Sequence, residues 1–354
     1  MLTSKLAAGA MALIVPATVC LTGCSFGVFN TLNYKYDNAD KYEAGNREID
    51  DKITKINLDY AAGNVTVKGK DTDTVSVEET VNKDIDKDHQ VHTWVDGNTL
   101  YIRYCASKDM LNFSGIEKSL EVTIPEAQDL DDFVINVSSG DVMLDSFTTD
   151  SLNSRSSSGK VKIACSAKTI DHKSSSGDVN LVQKGNADSV KVKASSGDIV
   201  ISQEGDLNTF DVDSSSGKIE IYQTGNVGTA NIHSSSGGVR AEMGTVDDLT
   251  IDVSSGPIVL DADEVKNLNT RASSGHSTIS LGKAPVTSKI NCSSGGINIS
   301  IPEDSDITVH VKISSGEFNY ELPFTKDGKD YINGNGTYDM EIHCSSGDVG
   351  FHKI

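Results

Sequence analysis

Apolar and polar residues alternate over most of the chain, and the alternation repeats around a Ser-Ser-Gly tripeptide that occurs eleven times. Successive copies lie 18 to 21 residues apart, except for a last spacing of 31. The glycines are Gly140, Gly159, Gly177, Gly197, Gly217, Gly237, Gly256, Gly275, Gly295, Gly316 and Gly347. A period of about twenty residues is typical of one small structural unit stacked on copies of itself.

Each copy has the same internal pattern. Apolar or small residues stand seven, five and three positions before the glycine, and apolar residues stand two and four positions after it, as in Phe210, Val212, Ser214, Ile219 and Ile221 around Gly217. This period of two predicts β-strands with one buried face. Each unit is therefore a strand, a Ser-Ser-Gly corner, a second strand and a polar return. The alternation also predicts that the second serine points inward, where stacked hydroxyls could bond to one another.

The predicted fold is all-β: a single-stranded parallel β-solenoid with about 19 to 20 residues per coil. Equivalent strands of successive coils would pair in parallel, roughly 4.8 Å apart. The alternative is a left-handed helix of hexapeptide repeats. That fold is built from units of six, whereas these columns alternate in twos across a corner, which favours the solenoid.

The first residues predict export. Lys5 precedes an apolar run from Leu6 to Val19, and Leu21-Thr22-Gly23-Cys24 resembles the bacterial lipobox. We predict a signal peptide over residues 1–23 and lipidation of Cys24, followed by a polar, flexible tether over residues 24–50. The alternatives are an uncleaved membrane anchor and an ordinary signal peptide, although the apolar run is short for a bilayer span.

Two irregular regions flank the repeats. Residues 51–128 predict an irregular N-terminal β region, with a degenerate corner at Ala61-Ala62-Gly63 and a hairpin around Asp96-Gly97. We expect this region to cap the solenoid of residues 129–354, because an open coil presents unpaired backbone groups. The insertion 317–346 before the last glycine predicts a loop or hairpin over the C-terminal coil. An end cap is favoured there over a functional lid.

Charge and cysteine content exclude several classes of protein. The net charge of −20 argues against nucleic-acid binding, which needs a basic surface, and mainly predicts solubility. A covalent lipid suits an acidic chain that must stay at a membrane. Cys105, Cys165, Cys292 and Cys344 are expected to be buried thiols, and the last two should lie two coils apart, too far for a disulfide.

No candidate enzyme site emerges from the repeats. The serines lie in no Gly-x-Ser-x-Gly motif, and no His and Asp recur in register with them, so we predict no catalytic residues. Stacked Asp178 and Asp198 could hold calcium, but Lys160 and Lys218 flank them, which favours charge balance; no metal or cofactor is predicted. His172 occupies an inward column and is expected to be a core residue.

The lipobox, the segment Leu120–Glu126 (LEVTIPE) and the segment Ile135–Val142 (INVSSGDV) together resemble DUF4097, a bacterial family labelled as adhesins. The resemblance covers roughly residues 50–354. It implies an exported β-solenoid and supplies no catalytic residues.

We therefore expect a non-enzymatic protein that is lipid-anchored on the extracytoplasmic face of a bacterial membrane. Its extended surface would serve adhesion or protein binding, with a surface protein, membrane protein or glycan as partner. The alternative is an accessory of envelope stress or signalling that binds membrane partners in its own cell. Neighbouring genes for a sensor kinase or an anti-sigma factor would favour that alternative.

Overall fold

The computed structural model describes residues 31–354. The predicted signal peptide and the predicted lipidation site Cys24 lie outside the described residues. The N-terminal part contains two short 3-10 helices, Ala39–Lys41 and Lys87–His89, and ten strands. The strands are β1 (Thr31–Tyr34), β2 (Glu43–Ala44), β3 (Arg47–Ile49), β4 (Lys55–Ala62), β5 (Asn64–Lys70), β6 (Val75–Val81), β7 (His92–Asp96), β8 (Thr99–Arg103), β9 (Lys108–Asn112) and β10 (Lys118–Pro125).

The remaining strands form the solenoid body and its C-terminal end. The body contains β11 (Leu130–Ser139), β12 (Val142–Ser158), β13 (Val161–Ser176), β14 (Val179–Gln183), β15 (Ala187–Ser196), β16 (Ile199–Glu204), β17 (Leu207–Ser216), β18 (Ile219–Ser236), β19 (Val239–Ser255), β20 (Ile258–Ser274), β21 (Ser277–Leu281), β22 (Thr287–Ser294) and β23 (Ile297–Ile301). The end contains β24 (Ile307–Ile313), β25 (Phe318–Tyr320), β26 (Thr325–Asp327), β27 (Asp330–Asn333), β28 (Tyr338–Ser346) and β29 (Val349–Lys353).

Successive coils pair in parallel and in register on both sides of the corner. Before the corner, Val190 pairs with Phe210; after it, Ile199 pairs with Ile219. The long strands β12, β13, β18, β19 and β20 run from one corner to the next and so contribute to both sides. The predicted parallel β-solenoid is confirmed.

The buried columns are those of the sequence pattern, with two additions. One lies in the return between coils and holds Ala187, Leu207, Val227, Val246 and Val265. The position six residues after the glycine is also buried, and in three consecutive coils it holds Gln183, Gln203 and Gln223. Their side-chain amides donate to backbone carbonyls at 2.9 to 3.0 Å, Gln203 to Gly185 and Gln223 to Gly205 among them. A buried amide is tolerated here because it bonds to backbone groups at the bend.

The predicted inward serine ladder is wrong. Both serines of nearly every corner are exposed, because the chain already bends at the tripeptide and the alternation does not continue through it. Next to the corner, the buried hydroxyls belong to the column three residues before the glycine, as in Ser214 and Ser234. Ser234 Oγ donates to the carbonyl oxygen of Gly237 at 3.1 Å. Ser156 and Ser174 also bond to a corner carbonyl, whereas Ser214 Oγ has no hydrogen-bond partner within residues 31–354.

The tether prediction needs correction for residues 31–50. This segment forms β1, β2 and β3, and Tyr34 and Ile49 are almost fully buried. Tyr34 Oη donates to the carbonyl oxygen of Asp59 at 2.8 Å, which ties the segment to the solenoid. Apolar side chains spaced through a polar stretch anchor it, since burying them is favourable. Residues 24–30 of the predicted tether lie outside the described residues.

The order of coils in space departs from the order in sequence at both ends. At the N-terminal end, β4 and β5 lie between the outer strands β8 and β10 and the body strands β11 and β12. At the C-terminal end, β28 and β29 lie between the pair β22, β23 and the pair β24, β25. Cys292 and Cys344 are consequently direct neighbours, which corrects the expectation that they lie two coils apart; both are free thiols.

The insertion 317–346 contains the coil strands β25 and β28 and, between them, the hairpin β26–β27. Strand β27 pairs antiparallel with residues Ile307–His310 of β24 and so covers part of the outer edge of the last coil. The insertion thus acts as a partial end cap.

Candidate ligand-binding groove

The eleven predicted corner glycines all lie where the chain turns. Their φ angles run from +108° to +140°, a region that favours glycine. A Cβ atom on Gly217 would lie 2.1 Å from the carbonyl oxygen of Gly197 in the preceding coil. Close backbone stacking and positive φ together account for glycine at every corner. Gly63, in the degenerate copy, has the same geometry, with φ +105°.

The carboxylates that follow the corner glycines bond to the next coil. Asp141 Oδ1 accepts from the backbone N–H of Lys160 at 2.8 Å, and Asp198 Oδ1 accepts from that of Lys218 at 2.8 Å. Asp178, considered for calcium, accepts from the N–H of Asp198 at 3.2 Å. These side chains thus satisfy backbone donors at the corner. Within residues 31–354, no group of three or more possible metal ligands is present.

His172 lies inside the solenoid, fully buried as predicted. Its Nδ1 lies 3.1 Å from Ser154 Oγ in the adjacent coil. Burial lowers the pKa of His172 to about 4, since the interior disfavours the charged imidazolium. The histidine is therefore a neutral core residue at neutral pH.

The serines show no catalytic arrangement. Ser235 Oγ lies 3.4 Å from His233 Nε2, which is the only serine–imidazole contact at a corner within the described part of the chain. No described carboxylate bonds to the other nitrogen of that ring. A Ser-His-Asp relay needs such a carboxylate to orient the imidazole.

A groove of about 600 Å³ follows the corners on the side of the first serines. It crosses six coils, from Asp59 to Ser215. With coils about 4.8 Å apart, it is roughly 24 Å long. Its wall carries the exposed hydroxyls of Ser157, Ser175 and Ser195, which make no hydrogen bond within residues 31–354.

Three cationic side chains lie side by side in the middle of the groove. They are Arg155, Lys173 and Lys193, in consecutive coils. Lys173 Nζ lies 3.2 Å from Asp171, and Lys193 Nζ lies 3.1 Å from Asp213; both pairs are exposed and therefore weak. Arg155 has no ion-pair or hydrogen-bond partner among the described residues. The groove thus offers a free guanidinium beside free hydroxyls.

These cations are not predicted from the sequence, although a signal for them exists. Each stands four residues before its corner glycine, an outward position in these three coils, and the same column holds Asp59, Asn136 and Asp213 in the neighbouring coils. In the sequence, this column contains acidic, neutral and basic residues and shows no clear pattern of charge. Only when the coils are stacked do three consecutive positive charges stand out on an acidic protein.

In the described part of the chain, no helix has the length and apolar character needed to cross a bilayer.

Comparison with solved structures gives similarity at low identity. A protein from Clostridium sporogenes described as a "putative cell adhesion protein" is 8% identical with a TM-score of 0.20, and the match covers 88% of this chain and 100% of that one.

Two Parabacteroides proteins each match with 12% identity and a TM-score of 0.27. One, from P. distasonis, is described as a "putative lipid binding protein", and the match covers 89% of this chain and 97% of that one. The other, from P. merdae, is described as a "putative adhesin", with 90% and 98% covered.

No curated protein matches the chain. The profile of the family described as Toastrack DUF4097 matches residues 53–185 and 181–351, which together span nearly all of the described chain. The protein belongs to the DUF4097 (Toastrack) family.

Proposed function

We propose that the protein is a non-enzymatic, lipid-anchored surface protein of a bacterium whose solenoid binds an extended ligand and so serves adhesion. The groove along the corners carries this proposal. It is open to solvent, continuous over six coils and lined by side chains suited to binding. An extended, shallow site of this kind fits a linear ligand better than a small substrate, which proteins usually enclose.

The anchor rests on the sequence Leu21–Cys24. Residues 25–30 separate Cys24 from β1, and such a stretch spans roughly 25 Å at most when extended. A lipid on Cys24 would therefore hold the N-terminal end of the solenoid close to the bilayer. The body and its groove would project away from the membrane on the extracytoplasmic face.

The proposal is tested on intact cells that express the full chain or the Cys24→Ala variant. We expect the full chain to incorporate labelled fatty acid, to stay with the membrane fraction and to be cut by protease added outside the cells or to spheroplasts. Cells that display it should bind to surfaces coated with wall polysaccharide. The Cys24→Ala variant should incorporate no fatty acid and should be released from the membrane fraction. Cells that express it should not bind to the coated surfaces.

Two outcomes would overturn the proposal. A wild-type chain that carries no lipid would remove the anchor. Crosslinking in intact cells that captures a sensor kinase or other membrane regulator of the same cell, with no adhesion phenotype, would assign the protein to envelope signalling instead.

A further inference from the structure

The charge of the groove differs from that of the whole protein. The chain has a net charge of −20, so most of its surface repels anions. In the groove, three consecutive coils present Arg155, Lys173 and Lys193 on one wall. An anionic ligand would therefore be directed to this short section and away from the rest of the rod.

Arg155, at one end of this section, is its main candidate for binding an anion because its guanidinium is free. A guanidinium binds carboxylate or phosphate through two parallel hydrogen bonds, and it remains charged at all physiological pH values. The ammonium groups of Lys173 and Lys193 are only loosely held, since their partners Asp171 and Asp213 are exposed. Each of the three cations can therefore bond to a ligand without the loss of a strong ion pair.

The serine hydroxyls add a second kind of recognition. Ser157, Ser175 and Ser195 lie beside the three cations in the same coils and are exposed. Each hydroxyl can donate one hydrogen bond and accept two, which suits the hydroxyl groups of a sugar or polyol. The hydroxyls repeat at the coil spacing of about 4.8 Å, so a chain of polar units can bond at several levels.

Asp213 limits the cationic section at one end, and at the other end the uncharged Asn136 separates Arg155 from the nearly buried Asp59. Asp59 lies at one end of the groove and Asp213 at the other. The three cations span two coil spacings, or roughly 10 Å. The groove therefore suits a ligand that carries both acidic groups and hydroxyl groups along its chain.

We propose that the groove binds a linear, hydroxyl-rich anionic polymer, with an acidic group on Arg155 and the polymer hydroxyls on the serine column. This inference deepens the proposed function and rests on it for its biological role. The binding chemistry itself depends only on the groove and not on the lipid.

The test uses the full-length protein in uncharged detergent and measures binding by calorimetry. The probes are polygalacturonate, which carries carboxylates, poly(glycerol phosphate), which carries phosphates, and neutral dextran. We expect one or both anionic polymers to bind more tightly than dextran, and binding to weaken as salt is raised. Binding of only one of the two would identify the acidic group.

Arg155→Gln should weaken this binding about tenfold, the effect of one charge-assisted contact. The matched control is Arg271→Gln. Arg271 occupies the same column in a later coil, is also exposed, has no ion pair among the described residues and lies outside the groove. Both variants should melt as the wild type does, since neither residue holds the fold together.

Equal affinity for dextran and the anionic polymers would overturn the inference, and so would equal effects of the two arginine substitutions. Groove binding in solution without adhesion of cells would contradict the surface role instead and leave the groove assignment standing.

Discussion

The two ends of the solenoid cover their outermost coils in different ways. Each end places one coil out of sequence order, and each must cover the outer edge of its last coil. At the N-terminal end, β7 pairs with the outermost strand β8, and β6 pairs with the outermost strand β10. Strand β2 then pairs with β7, and β3 pairs with β6. At the C-terminal end, a single hairpin covers part of β24, and β25 pairs only with β29.

The interiors of the two ends differ as well. The N-terminal end buries an ion pair, with Lys118 Nζ 2.8 Å from Glu79 and 4.1 Å from the centre of the Tyr104 ring. Aromatic rings pack at both ends, as in Tyr60–Tyr104 and Phe318–Tyr331, but the ion pairs of the C-terminal end are exposed within the described residues. Tyr320, in a column buried in most coils, is 45% exposed because no coil covers it. A complete cap thus permits buried charge, whereas a partial cap leaves core residues open to solvent.

The largest expected effect concerns the inserted coil at the C-terminal end. Gly347 has φ +137°, and a Cβ atom there would lie 2.3 Å from the carbonyl oxygen of Gly295. Gly347→Ala should lower the free energy of unfolding by more than about 5 kcal/mol, since strain and a backbone clash combine. Gly97→Ala is the matched change at the N-terminal end, with φ +61° and open space around it, and should cost about 1 to 2 kcal/mol. Urea unfolding of both variants measures the difference, and similar losses would contradict the close stacking.

The next effect tests the buried ion pair of the N-terminal end. Glu79→Ala leaves the fully buried Lys118 ammonium without its carboxylate, and we expect a loss of about 3 to 5 kcal/mol. The control is Glu121→Ala, which removes a partly exposed carboxylate from Lys68 and should cost less than about 1 kcal/mol. Thermal and urea unfolding report both values. A small loss for Glu79→Ala would mean that this end is not closed to water.

The smallest effect is a pH dependence. Burial raises the pKa of Asp59 to about 6, although the nearby Arg103 guanidinium acts in the opposite direction. Between about pH 4 and pH 6 the folded state keeps a proton that the unfolded chain has lost, so stability falls as pH rises, by about 3 kcal/mol in total.

Asp59→Asn should remove this slope, and urea titrations across the window measure it. Asp213→Asn changes the same column in an exposed position and should leave the slope in place. A slope that survives Asp59→Asn would assign the pH dependence to other groups.

The repeat pattern determined most of the fold. The columns around each glycine specify the strands, the corner and the inward face, because a period of two is a local property of the chain. The glycines too can be read from the sequence, since their positive φ belongs to the corner itself. The pattern failed at the serines, where the bend interrupts the alternation, and at residues 31–50, where a few apolar side chains anchor a polar segment.

Only the tertiary structure decided which coils, and so which side chains, are neighbours at the ends of the solenoid. The pairing of Cys292 with Cys344 depends on a coil that inserts out of order, and no local pattern encodes that order. The groove depends on both levels, because Arg155, Lys173 and Lys193 occupy one column of the repeat and become one cationic surface when their coils stack. Local periodicity determined the coil, and the order in which coils stack determined the surface that a ligand would meet.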